Sequence, residues 1–257
     1  MKGIPSKGRL VRMALQVLLP GFILTSCLES PSQKRVGKLQ ESEEGRIVSL
    51  EILRWTSTSE VSRYKATFTL TYVSPGLLDA AVEYKSKKEG WSEQEKDSVR
   101  QRVRERFAET TPFILCYKQG ESTRLKLNDL ARNMVLVDER GRACCPITGR
   151  YTRGLEAEHV ENATGYVYFP RIALADVNSY NVTLKGVTHD HDSEFWCGDL
   201  PNIVFQFDTS EVDLAALVRK GLTDEQILET GSIDVSLSAS DALNILSIVL
   251  SLVSLAG

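Results

Sequence analysis

Apolar and polar positions alternate along much of the chain. Tyr64, Ala66, Phe68, Leu70 and Tyr72 share one face, and Lys65, Thr67, Thr69 and Thr71 the other. A period of two predicts a half-buried β-strand. Val48, Leu50 and Ile52 alternate the same way in IVSLEILRW, so residues 47–55 are also expected to be extended. Further strands are predicted at Phe113–Lys118, Arg124–Leu127, Asn133–Asp138, Gly165–Phe169, Tyr180–Lys185 and Ile203–Asp208. Glu139-Arg140-Gly141 reads as a turn after one of them. Short strands separated by loops, without βαβ alternation, predict a mainly β fold, an antiparallel β-sandwich.

Two regions carry a helical period instead. Ser92-Glu93-Gln94-Glu95 is a capping box that opens a helix running to about Ala108, an insertion at about 92–108. Val99, Val103 and Phe107 recur every four residues as a narrow stripe, with Arg100, Arg102, Arg104 and Arg106 covering the remaining surface. The arginines suit an interaction helix for an acidic partner or for lipid headgroups. Glu93, Glu95, Asp97 and Glu105 equally suit an ordinary solvated helix. C-terminal helices are expected after Asp208, the first capped by Ser210 and ended by Gly221, the second opened by Thr223-Asp224-Glu225-Gln226. Residues 241–257 hold no charge after Asp241, and Ser240, Asn244, Ser247, Ser251 and Ser254 fall on one helical stripe. Such a tail fits burial against the domain. It also fits association with a membrane, an envelope partner or a second copy, because small residues permit close helix packing in lipid. At about 1.5 Å per residue it reaches about 25 Å, short of a hydrocarbon core of about 30 Å.

The N-terminus carries an address. Lys2, Lys7, Arg9 and Arg12 precede an apolar run over residues 13–24, followed by Leu24-Thr25-Ser26-Cys27. A charged region, a short apolar region and a small-residue cleavage site make a secretory signal peptide over residues 1–26. Leu-Thr-Ser-Cys resembles the lipobox of bacterial lipoproteins. That resemblance implies cleavage before Cys27, lipidation of its thiol, and anchoring of the mature chain in the cell envelope. Leu28 stands where an aspartate would resemble the inner-membrane retention signal, which favours the outer membrane. Residues 27–45 then read as a polar tether, 46–210 as the β-rich domain and 211–257 as a helical region. On strand count, the domain resembles the broad class of immunoglobulin-like domains carried by bacterial lipoproteins.

Charge narrows the partners. Residues 1–26 hold four of the 31 basic residues and none of the 34 acids, leaving 27 against 34, a net charge of −7. That argues against nucleic acid and against electrostatic attraction to anionic lipid. Beyond Cys27 the cysteines are Cys116, Cys144, Cys145 and Cys197. An even count in an exported chain suggests two disulfides. Adjacent Cα atoms lie about 3.8 Å apart, below the usual disulfide range. The expected bridges therefore join Cys116 and Cys197 to Cys144 and Cys145, in either order.

Catalytic signatures such as G-x-S-x-G, H-E-x-x-H, a P-loop or a dinucleotide glycine pattern do not occur. His189 and His191 share one face of an extended segment, with Asp192 and Glu194 beyond them, so a divalent metal is the one cofactor the chain suggests. A polar loop is the plainer reading of the same residues. The function expected is thus a non-enzymatic, lipid-anchored envelope protein with a structural or protein-interaction role. The alternative is a metal- or small-ligand-binding lipoprotein using the His189/His191 loop.

Overall fold

The computed structural model describes residues 42–119, 123–150, 152, 155, 162–171, 179–191, 198–208, 212–230, 237 and 239–256. The chain begins with α1 (Glu43–Arg54), whose first turn is capped by Ser42 Oγ accepting from Gly45 N at 3.0 Å. β1 (Thr56–Val61) and β2 (Ala66–Tyr72) form a hairpin through a 3-10 turn at Ser62–Tyr64. Helices α2 (Pro75–Glu89) and α3 (Glu93–Arg106) separate β2 from β3 (Thr110–Gln119). Then follow β4 (Thr123–Leu127), α4 (Leu130–Asn133), β5 (Met134–Asp138), β6 (Ala143–Cys144) and β7 (Asn162–Pro170). The chain continues through β8 (Ser179–Leu184), β9 (Val187–His191), β10 (Gly198–Asp199) and β11 (Ile203–Asp208) to α5 (Leu214–Arg219), α6 (Asp224–Thr230) and α7 (Ala239–Ala256).

The strands pair antiparallel into three sheets, ordered β1-β2-β3-β7, β11-β8-β5-β6 and β10-β9-β4. One apolar cluster draws on all three. It includes Phe68 and Leu70 of β2, Phe113 and Leu115 of β3, Leu125 of β4, Leu136 of β5, Val182 of β8, Val187 of β9 and Phe205 of β11. Phe113 is its aromatic hub, edge-on to Phe169, Tyr180 and Phe207 at centroid distances of 5.4, 6.3 and 5.8 Å. Ser57 Oγ accepts from Gln206 N at 3.1 Å and so joins the edge strands β1 and β11. Gly165 of β7 leaves room for a close approach. A Cβ there would lie 2.5 Å from Thr152 Cβ and 2.9 Å from Leu155 Cγ.

The antiparallel pairing follows the expectation, but the chain is not mainly β. Helices pack on the opposite face of the β1-β2-β3-β7 sheet, and a second cluster joins them to it. That cluster holds Val48 and Ile52 of α1, Leu77 and Ala81 of α2, Val99 and Val103 of α3, Ile114 and Cys116 of β3, and five residues of α7. The threonine face of β2 is therefore largely covered, with Thr67 partly exposed. Thr69 and Thr71 are buried, and Thr71 and Thr56 share a hydroxyl hydrogen bond of 2.8 Å.

Residues 47–55 are helical apart from Trp55 at the cap, not extended, and α1 starts three residues inside the expected tether. The apparent alternation comes from a helix buried on two sides. Val48, Ile52 and Trp55 face the sheet cluster, whereas Leu50 packs with Leu214, Val218 and Ile227 of α5 and α6. Arg46 locks this second side through Asp224 at 2.6 Å and Leu222 O at 3.0 Å. α2, absent from the expectation, has Ser74 Oγ capping Leu77 N at 3.0 Å, Pro75 opening its first turn and Gly90 at φ 73° closing it. At α5 the cap is Asp213, which accepts from Ala216 N at 2.8 Å. The expected cap, Ser210, lies outside the described residues.

The tail forms α7. Ile245, Leu246, Val249, Leu252 and Val253 are buried against the helical layer, while Ser240, Asn244, Ser247, Ser251 and Ser254 are exposed. The serine stripe is the water-facing side of a docked helix. Lys118 pairs with Asp241 near its start, Ile248 O accepts from Tyr166 Oη at 3.0 Å, and Ser254 accepts from Lys85 near its end. Of the two readings of the tail, this packing matches burial against the domain.

Candidate functional site

The α3 helix stands where its sequence places it. Ser92 Oγ accepts from Glu95 N at 3.3 Å while Glu95 accepts from Ser92 N at 2.7 Å, and Val99 and Val103 are buried. The capping box fixes where the helix begins, and hence which arginines face outward. Arg100 is spent on its neighbours: it bonds Glu83, pairs with Asp97 at 2.9 Å and approaches Asp79 at 3.7 Å. Arg104 also approaches Asp79 at 3.7 Å. Asp79 and Glu83 belong to α2, so Arg100 ties α3 to α2, and the largely exposed Arg104 adds one longer contact to the same helix.

Two cations of α3 are left over. Arg102 and Arg106 are exposed, and neither has an ion pair among the described residues. Beyond Arg106, Phe107 stacks on Tyr168 at 6.3 Å and 22°, and Tyr168 meets Tyr166 at 6.0 Å and 30°. Strand period explains the row. Val167 and Phe169 of β7 enter the core between the sheets, so Tyr166 and Tyr168 stand on the opposite face, at the border of the helical layer. All three rings are half-buried.

Burial pushes the Tyr166 phenol up to about 12, and the Arg106 guanidinium draws it back down. Tyr168 is raised by burial and lowered by the same guanidinium, and the Arg106 guanidinium carbon lies 6.0 Å from the Phe107 ring centroid. Arg171 Nη1 donates to Ala108 O at 3.0 Å, at the carbonyl end of α3. Tyr168 N donates to Arg150 O at 3.3 Å, which sets the exposed Arg150 beside the row. Tyr166 Oη is committed to α7, whereas Tyr168 Oη has no hydrogen bond among the described residues. The surface offers half-buried rings, a Tyr168 phenol without a hydrogen bond among the described residues, and the exposed Arg106 guanidinium, which has no ion pair among them.

Of the expected interaction residues, Phe107 belongs to this surface, Val99 and Val103 to the core behind it, and Arg100 and Arg104 to the α2 contact. Arg106 is one of the helix arginines named from sequence, whereas Arg150, Tyr166 and Tyr168 were not singled out. The signal available was the alternation Tyr166-Val167-Tyr168-Phe169, which places two tyrosines on a second apolar face.

The remaining candidates scatter. Cys27, Asp192, Glu194 and Cys197 lie outside the described residues. His189 and His191 are on β9, opposite Leu125 and Thr123 of β4, and no group of three potential metal ligands occurs among the described residues. Cys116, Cys144 and Cys145 are free thiols. The expected bridge from Cys116 to Cys144 or Cys145 is not formed, because β3 turns Cys116 toward the helices while Cys144 packs on the core between the sheets. Burial pushes the Cys116 and Cys144 thiols up to about 11, which leaves both poor nucleophiles. Among the described residues, no helix is long and apolar enough to cross a membrane. No protein family, curated protein or solved structure matches this chain.

Proposed function

We propose that the chain is a non-enzymatic, lipid-anchored protein of the bacterial cell envelope that binds another envelope component. The observation that carries this reading is Leu24-Thr25-Ser26-Cys27, standing directly after a charged stretch and an apolar run. Acyl chains on Cys27 would anchor the chain stably, at about 0.8 kcal/mol per buried methylene. Leu28 favours the outer membrane over the inner. The two larger sheets, sharing one core, support the finer reading of an immunoglobulin-like sandwich to which a helical layer has been added. The absence of a nucleophile–base signature from the sequence supports binding over turnover. The surface at Arg106 and Tyr168 supplies a place for contact.

Fractionation of a bacterium expressing the chain tests this. The unaltered protein is expected in the membrane fraction after an alkaline wash, and Cys27→Ser in the soluble fraction. Equal partition of the two forms would overturn the reading.

A further inference from the structure

We propose that one end of the helical layer, where α1 starts and where α2 and α7 finish, lies on the bilayer surface with Trp91 and Leu255 in the interface. This depends on the lipid-anchor reading above and adds which surface of the domain meets the membrane.

Three observations carry it. The first is where the chain enters the fold. Glu44 at the start of α1 pairs with Lys87 near the end of α2 at 2.6 Å, whereas Glu51 near the end of α1 lies beside Gly76 at the start of α2. The two helices are therefore antiparallel. Lys85 of α2 bonds Ser254 near the end of α7, and α3 starts at Glu93, just beyond α2. The start of α1, the ends of α2 and α7, and Trp91 between α2 and α3 thus share one end of the layer. Fifteen steps of chain separate Cys27 from Ser42, a reach of at most about 54 Å. A lipid on Cys27 therefore draws this end toward the bilayer.

The second is apolar exposure at that same end. Leu255 is 72% exposed, against 43% for Val204, the other large hydrophobic side chain exposed among the described residues. Its neighbour Ser254 bonds Lys85, whose Nζ lies 5.3 Å from the centroid of the half-buried Trp91 ring. The Trp91 indole N–H has no hydrogen bond among the described residues. An indole with an unclaimed N–H, a lysine on its face and an exposed leucine suit the boundary between headgroups and acyl chains. The contact is interfacial, because no helix among the described residues is long and apolar enough to cross a membrane.

The third is charge. The chain beyond Cys27 carries −7, yet the acids on the helix ends that meet here are matched. Glu43 pairs with Arg219 at 3.4 Å, Glu44 with Lys87 at 2.6 Å, Glu89 with Lys85 at 3.8 Å and Glu93 with Lys96 at 2.6 Å. Glu95 is taken up by the capping box at Ser92. Exposed Lys88 has no ion pair among the described residues. This end can thus approach headgroup phosphates with lysines to offer and each of these acids already bonded.

The test uses the lipoprotein purified from bacterial membranes and reconstituted in vesicles of phosphatidylcholine and phosphatidylglycerol, with or without brominated acyl chains that quench nearby tryptophan. Flotation and fluorescence are read on the same sample. The unaltered chain is expected to float and to be quenched. Trp91→Phe is expected to lose most of the quenched emission, although Trp55 and Trp196 remain. Leu255→Asp is expected to float with weaker quenching. Val204→Asp, on the sheet face away from the helices, is expected to match the unaltered chain. Melting curves check that each variant is folded. Floating without quenching, or quenching that survives Trp91→Phe undiminished, would overturn the proposal and leave the anchor standing. A chain that does not float would overturn the anchor reading and this one with it, so the two failures are told apart.

Discussion

Two leucines three residues apart on α7 separate a docked helix from a helix held in reserve for lipid or for another molecule. Leu252 is 1% exposed and sits in the cluster between helices and sheet, whereas Leu255 is 72% exposed. Both are replaced by alanine in separate variants, which keeps helix propensity high in each. At Leu252 the change removes buried methylene and methyl groups and leaves a cavity in the cluster that also holds Leu77, Ile245 and Val249. Such truncations cost about 2–5 kcal/mol. At Leu255 the same atoms already meet water, and the cost should stay within about 0.5 kcal/mol. For a domain of this size, the first variant should lose about 4–20 °C in Tm and the second about 2 °C at most. Urea unfolding followed by far-UV circular dichroism reads both, with the slope unchanged if only stability has moved. Equal midpoints for the two variants would refute intramolecular docking. A larger loss at Leu255 would point instead to an association through the exposed end of the helix.

Further outcomes follow from single sites. Gly165→Ala should destabilise by about 1–3 kcal/mol, because its methyl would overlap Thr152 and Leu155 at 2.5–2.9 Å, and thermal melting reads the loss. Ser92→Ala should cost about 1 kcal/mol by removing the cap of α3, seen as a lowered denaturation midpoint. Burial raises the Glu51 carboxyl above its ordinary value of 4.5, against the pull of Arg54 and of Trp55 Nε1, which donates to it at 3.0 Å. Its protonated form is thus favoured by folding, so its contribution is present below pH 4.5 and lost as pH rises through the folded value. Glu51→Gln should therefore gain on the unaltered chain as pH rises from about 4 to 7, and a constant difference across that range would contradict the assignment. After reduction, exposed Cys145 should be alkylated well before buried Cys116, with peptide mapping as the readout. Equal rates at the two thiols would contradict the burial.

Legibility in the sequence followed the number of faces an element buries. Ile203–Asp208 alternates cleanly and forms β11 over those same residues, because only one of its faces enters the core. Both faces of β2 are covered, so its threonines, polar by type, lie under helices, and the pattern alone suggested solvent. α1 buries two sides of a helix against different clusters, and three buried positions then mimic a strand. The capping boxes at Ser92 and Thr223 were readable because a cap is a local bargain between residues three apart. α2 carried weaker signals, its apolar positions being interrupted by Asp79, Glu83 and Lys85. The candidate surface was the least legible part. Its arginines differ from their neighbours on α3 only in having no acid across from them, and that depends on where α2 lies.

Intact mass analysis of the N-terminal peptide, from protein purified out of bacterial membranes, tests the envelope assignment most directly. The expected result is a mature chain beginning at Cys27, its thiol carrying a diacylglyceryl group and its amine acylated. A peptide beginning elsewhere, or an unmodified Cys27, would contradict it.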